Sequence, residues 1–135
     1  MEKKYTNRYN SFCSSLDSLK RVEGRDITDE FVLSGTIRKF ILTFDISWKV
    51  MKDIIVNYHK ITSFTTGSPR ETLRTAASVG LIDDQWMDML EDRNNLTHDY
   101  DSSLAEKCIH RIIQVYIPLF EEFRTKASGY LDLMN

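Results

Sequence analysis

A short polar segment between residues 93 and 100 carries the side chains in this sequence best suited to chemistry. Arg93 and Asn94 are adjacent, and His98 follows four positions after the asparagine. If a helix continues through this segment, Asn94 and His98 lie on one face. A guanidinium can hold a phosphate by two hydrogen bonds, an imidazole can move a proton near neutral pH, and an amide can orient either. Together they could support metal-independent RNA cleavage, in which the neighbouring 2′-oxygen attacks the phosphorus.

The same segment has a simpler interpretation, because a capping cluster between two helices would contain similar residues. The local charge also opposes an RNA site. From Asp83 to Lys107 there are eight acidic and two basic residues. An RNA site here would therefore need positive charge from elsewhere in the fold or from a partner.

Other common chemistries lack their sequence patterns. The chain has no glycine-rich phosphate loop, no zinc-ligand spacing and no Gly-x-Ser-x-Gly elbow. The acidic residues from Asp83 to Asp92 could bind a divalent cation, but we interpret them as a solvated helix face. The sequence therefore predicts neither a metal nor a cofactor.

The composition predicts one folded domain spanning residues 1–135. Hydrophobic residues make up 41% of the chain and charged residues 28%, which suits a core with a soluble surface. The 5 glycines and 2 prolines are too few for the turns of an all-β sandwich. Two distant cysteines, Cys13 and Cys108, favour a reducing compartment over a disulfide scaffold. With no signal-peptide pattern and no apolar run near the roughly 18 residues of a membrane span, we expect a cytoplasmic protein.

Apolar residues recur at helical spacing along most of the chain. One stripe runs from Tyr5 to Leu19, and a second runs from Leu33 to Tyr58, long enough for a central helix. Gly35 lies inside the second stripe and lowers its helix propensity by about 1 kcal/mol relative to alanine. We expect close packing to explain that glycine.

Capping residues and one proline divide the remaining chain. Residues that can begin helices precede the apolar stripes: Thr28, Ser68, Asp83 or Asp84, and one of Asp101, Ser102 and Ser103. Pro118 falls inside the last stripe and is expected to kink that helix. The pattern predicts an all-α fold, an antiparallel up-and-down four-helix bundle with a short extra helix.

At these residues the chain resembles the HEPN superfamily, and within it the small all-helical nucleotidyltransferase substrate-binding proteins. The motifs that carry the resemblance cover most of the chain: Phe40-x-x-x-Phe44-x-x-x-Trp48-Lys49, Ser68-Pro69-Arg70-Glu71 with Leu73-Arg74, Gly80-Leu81-Ile82-Asp83, Trp86-x-x-Met89, Asp92-Arg93-Asn94, His98-x-Tyr100 and Tyr116-x-Pro118.

The resemblance implies a homodimer or a 2:2 complex with a minimal nucleotidyltransferase. In many such pairs the HEPN member is a toxin, a metal-independent endoribonuclease whose Arg-(x)4-6-His motifs meet at the dimer cleft. Arg93, Asn94 and His98 match that motif as catalytic residues. Tyr100 matches the tyrosine to which the partner transfers AMP, a modification that silences the toxin. The alternative within the same family is a non-catalytic subunit that binds a nucleotide or other substrate for the transferase.

Overall fold

Helices dominate the computed structural model, which describes residues 3–62, 67–98 and 101–134. In chain order they are α1 (Lys3–Lys20), α2 (Glu30–Asn57), α3 (Pro69–Ser78), α4 (Gln85–His98), α5 (Ser102–Arg111), a π-helical turn (Ile112–Tyr116) and α6 (Ile117–Met134). The last three form one uninterrupted helical run, and α3 is the short extra helix. No strand occurs in those ranges. The predicted all-helical bundle is confirmed.

Hydrogen bonds between α1 and α2 show that the two helices run antiparallel. Tyr5 donates to Asn57 at 2.8 Å near one end of the pair. Near the other end, the hydroxyls of Ser15 and Thr43 lie 2.6 Å apart and are buried. Because the residue number falls on α2 as it rises on α1, the chain reverses direction between them, as the predicted up-and-down topology requires.

Side-chain caps fix where the helices begin, as the sequence predicted with one exception. Asp29, not Thr28, caps α2, and its carboxylate accepts hydrogen bonds from the first-turn backbone N–H groups. Thr28 is the wrong residue because its hydroxyl donates instead to Asp26 at 2.6 Å. The other caps accept backbone N–H groups as expected: Ser68, Asp83 and Asp101.

The core surrounds α2, which contacts each of the other α-helices. Aromatic rings from four helices meet there with edge-on or tilted geometry: Phe12, Phe40, Phe44, Trp86, Phe120 and Phe123. Tyr58 ends the predicted apolar stripe but is 42% exposed, packing edge-on against Tyr130 at the surface. In the described ranges, no helix is long and apolar enough to cross a bilayer.

A π-helical turn stands where the sequence predicted a proline kink. Within it, the N–H of Ile117 donates to the carbonyl of Ile112, five residues earlier. Pro118 follows directly, with no N–H to donate and a ring that clashes with the carbonyl four residues before it. The wider turn accommodates that ring within a continuous helical run. It also includes Tyr116, which takes part in the network described below.

Candidate functional site

Arg93 of α4 is held by a carboxylate from α2. Its Nε donates to Asp45 Oδ1 at 2.9 Å and its Nη2 donates to Asp45 Oδ2 at 2.8 Å. This is the bidentate geometry in which a guanidinium and a carboxylate match best. The two side chains are 25% and 30% exposed, so solvent screens the pair only in part. Asp45 therefore fixes the plane and direction of the Arg93 guanidinium.

The terminal nitrogens of Arg93 keep free donors for a ligand. Besides the two bonds to Asp45, Nη1 donates to Asn94 Oδ1 at 3.2 Å. A guanidinium has five N–H donors, so these three bonds leave two, one on each terminal nitrogen. A pair of donors of this kind can bind two phosphate oxygens. Asn94 thus helps to orient the arginine, a role for its amide that the sequence allowed.

His98 is the last residue of α4, and it is exposed. The helix continues through the polar segment, so Asn94 and His98 lie one turn apart on the same face. The polar segment therefore does not break the helical pattern before His98. Leu96 explains the continuation, because this one apolar residue is 2% exposed and anchors the turn to the core. Tyr100, the predicted modification site, lies outside the described residues.

A second ion pair fixes the other side of α4. Arg111 donates to both carboxylate oxygens of Asp92, from Nε at 2.7 Å and from Nη2 at 2.9 Å. Tyr116 donates its hydroxyl proton to Asp92 Oδ2 at 2.5 Å. Burial, followed by this hydrogen bond, raises the pKa of the Tyr116 phenol above its usual value, so it remains a donor. Consecutive residues, Asp92 and Arg93, thus tie α4 to the π-helical turn and to α2.

Among the described residues around α4, neither the nearby cysteine nor the acidic run forms a second reactive site. Burial, with the nearby Asp92 charge, raises the pKa of the Cys108 thiol and keeps it protonated. Among the described residues, no three His, Cys, Asp or Glu side chains are grouped to hold a metal ion. The acidic residues from Asp83 to Asp92 do not act together. Asp83 caps α4, Asp92 pairs with Arg111, and the others are exposed.

Sequence reasoning missed Asp45 as part of this site. A signal was present, since Asp45 lies directly between two apolar residues of α2, Phe44 and Ile46. A carboxylate in such a place needs a cationic or hydrogen-bonding partner. The partner lies 48 residues away in the sequence, so the pair could not be assigned from local spacing.

The fold and this site define a class of protein, a helical bundle with three polar residues on one helix. Ion pairs hold that helix, α4, to its neighbours, and it carries Arg93, Asn94 and His98. Comparison with protein families identifies the class more closely. The chain belongs to the family described as nucleotidyltransferase substrate binding protein like, whose model matches residues 6–128. That range includes Asp45, Arg93, Asn94 and His98. No curated protein matches the chain. The family predicted from the sequence motifs is therefore confirmed.

Proposed function

We propose that this protein is a HEPN-type toxin, a metal-independent endoribonuclease that pairs with a minimal nucleotidyltransferase. One observation carries the proposal: Asp45 orients Arg93 while leaving donors free on both terminal nitrogens. Exposed His98 stands at the end of the same helix. A fixed phosphate-binding group and an exposed proton carrier on one short segment are what RNA transesterification requires.

The proposed reaction uses the RNA as its own nucleophile. His98 accepts the proton of a ribose 2′-hydroxyl as the 2′-oxygen forms a bond to the adjacent phosphorus. The bond from phosphorus to the 5′-oxygen breaks, and a second imidazole gives its proton to that leaving oxygen. Arg93 binds the phosphate oxygens as negative charge develops on them. The products are a 2′,3′-cyclic phosphate and a 5′-hydroxyl.

The second imidazole comes from a second copy of the chain. One protomer has one motif and hence one His98, whereas the reaction benefits from a base and an acid on opposite sides of the phosphorus. A two-fold axis supplies both from the same surface. We therefore expect a homodimer or a 2:2 complex with the transferase. Light scattering tests this, and a monomeric mass at micromolar concentration that the partner does not change would contradict it.

Tyr100 is proposed as the site at which the nucleotidyltransferase silences the toxin. The family description supports a nucleotidyltransferase as partner. Transfer of AMP from ATP joins the tyrosine oxygen to the α-phosphorus and releases pyrophosphate. The adduct places a negative phosphate and a bulky nucleoside two residues from His98, which would keep RNA away from Arg93.

Intact-mass spectrometry after incubation with the transferase and ATP tests this modification. We expect an AMP adduct on the wild type and none on Tyr100→Phe, which should keep its ribonuclease activity and escape silencing. An adduct of equal yield on both proteins would show that another residue accepts the nucleotide.

A second candidate is a non-catalytic subunit that binds a nucleotide or other substrate for the transferase. The observation that favours it is electrostatic, because Asp45 offsets the charge of Arg93 and exposed carboxylates lie on the same helix at Asp88 and Glu91. In that case the two free donors of Arg93 would bind a substrate phosphate without cleaving a bond.

Cleavage of single-stranded RNA separates the two candidates. We expect the purified protein to cleave and His98→Ala to lose activity by at least a hundredfold, at the lower end of what a general acid–base group contributes, about 10²–10⁴. His110→Ala is the matched control, because His110 is also an exposed helical histidine. Equal and negligible cleavage by all three proteins, with tight transferase binding, would favour the substrate-binding subunit.

A further inference from the structure

A groove between the end of α1 and the start of α2 is lined by positively charged but not by negatively charged side chains. Its volume is about 240 Å³, and its lining includes the cations Arg21, Arg25 and Lys39 but no carboxylate. The side chains of these three residues form no ion pair with any residue in the described ranges. Three unneutralised cations around one concave surface attract a polyanion.

Four carboxylates lie near the groove in sequence: Glu23 and Glu30 are exposed and outside its lining, and the other two are occupied at the start of α2. Asp29 accepts two backbone N–H groups as the helix cap, and Asp26 accepts both the N–H and the hydroxyl of Thr28. The positive end of the helix dipole offsets the Asp29 charge locally. None of these four carboxylates lines the groove.

Phe31 and Gly35 lie one helical turn apart in the groove lining, and no other part of the chain that the structure describes covers either residue. Phe31 is 86% exposed although it is a large apolar side chain. A Cβ added at Gly35 would meet no atom within 4 Å, so the expected intramolecular packing reason for this helical glycine is absent. An exposed ring beside a bare stretch of backbone suits a planar group that stacks on the ring and approaches the helix closely.

The same face of α2 leads from the groove to the candidate site. Phe31 and Asp45 are 14 residues apart, which corresponds to about 21 Å along the axis and about 40° around it. Arg38 and Leu42 lie between them on this face, and both are exposed. Arg38 thus places one exposed positive charge between the groove and the acidic surroundings of Arg93.

We propose that this groove binds the single-stranded flank of the RNA substrate, with Phe31 stacked on a base and the three cations on the phosphates. This inference rests on the proposed function for the identity of the polyanion. Unpaired cations and a concave shape favour RNA over a second copy of the chain, which would bring the same cations to the interface.

Binding measured without cleavage tests the proposal. Fluorescence anisotropy of a labelled oligouridylate is followed in the His98→Ala background, so that the RNA stays intact. We expect Phe31→Ala to weaken binding by about fivefold or more, since aromatic stacking on a base contributes that much, and Phe31→Trp to preserve it. Arg25→Gln should lower the slope of log K against log salt by about 0.7, the share of one single-stranded phosphate.

Two glycines provide a matched pair of charge insertions. Gly35→Glu places a carboxylate in the groove, whereas Gly129→Glu makes the same change on α6, next to Tyr130 at the far end of α2. Neither new Cβ meets an atom within 4 Å, so both variants should fold. We expect RNA binding to weaken at least tenfold for Gly35→Glu and less than twofold for Gly129→Glu.

Three outcomes would overturn the proposal: unchanged RNA affinity in both Phe31→Ala and Gly35→Glu, equal losses from the two glycine variants, or a dimer that dissociates on Phe31→Ala. The last would assign the groove to a second copy of the chain. If the groove variants weaken RNA binding but the wild type does not cleave RNA, the groove proposal is supported and the proposed ribonuclease function fails. If the wild type cleaves RNA but the groove variants bind RNA as tightly as the wild type, the ribonuclease function is supported and the groove proposal is overturned.

Discussion

Replacing Asp45 by asparagine removes the charge that orients Arg93 while keeping the shape of the side chain. One of the two acceptors becomes an NH₂ group facing an arginine donor, so the bidentate pair is lost. With side chains 25% and 30% exposed, the pair lies between surface pairs, which contribute up to about 1 kcal/mol, and buried pairs, whose breakage costs about 3–5 kcal/mol. We expect the free energy of unfolding to fall by about 1–2 kcal/mol, measured by urea denaturation.

The effect of Asp45→Asn on RNA cleavage should exceed its effect on stability. Removing one preoriented donor from a transition state costs about 10²–10³ in kcat. A guanidinium that is present but no longer fixed should cost less, so we expect kcat to fall about 10- to 100-fold with KM changed little. Asp45→Glu, which keeps the charge, should recover part of the rate.

Steady-state cleavage kinetics at a temperature well below unfolding separate orientation from folding. Asp88→Asn is the matched control, because it removes an exposed carboxylate from α4 and should change kcat less than twofold. A kcat in Asp45→Asn equal to or above that of the wild type would contradict this role and show that Asp45 only neutralises Arg93.

Three further expectations concern Arg93, Tyr116 and Tyr9. Arg93→Lys should impair cleavage nearly as much as Arg93→Ala, because an ammonium lacks the planar fork; full activity with lysine would reduce Arg93 to a general positive charge. Tyr116→Phe removes a hydrogen bond to the charged Asp92 and should lower the free energy of unfolding by about 1.5–3 kcal/mol in urea denaturation, while an unchanged value would show that the bond contributes nothing net. Burial raises the pKa of Tyr9 from 10.0 to about 12, so the unfolded chain loses this proton first and stability should fall between those pH values. Alkaline unfolding followed by circular dichroism checks this, and Tyr9→Phe should lessen the fall.

Local sequence signals account for most of the fold. Apolar spacing located the helices, and Ser68, Asp83 and Asp101 cap them as predicted. These signals succeed because capping and amphipathicity depend on residues within one or two turns. The π-helical turn could not be predicted in the same way. Proline indicated a disturbance near residue 118, but its form depends on how the surrounding helix is packed.

Only part of the candidate site could be predicted from the sequence. Arg93, Asn94 and His98 form a local motif, and the structure places the three on one helix. Asp45 fixes the arginine from a different helix, and that pairing becomes visible only when α2 and α4 are packed together. For Gly35 the sequence predicted a contact that the structure lacks, because a Cβ added there would meet no atom within 4 Å.

The chemical groups on the two ends of the cleaved RNA distinguish metal-independent transesterification by His98 from other mechanisms. Wild-type protein and His98→Ala are incubated with a single-stranded RNA in excess EDTA, and the product ends are identified by mass spectrometry. We expect cleavage by the wild type alone, with a 2′,3′-cyclic phosphate on one fragment and a 5′-hydroxyl on the other. A 3′-hydroxyl product, cleavage that requires added metal, or equal activity in His98→Ala would contradict this mechanism.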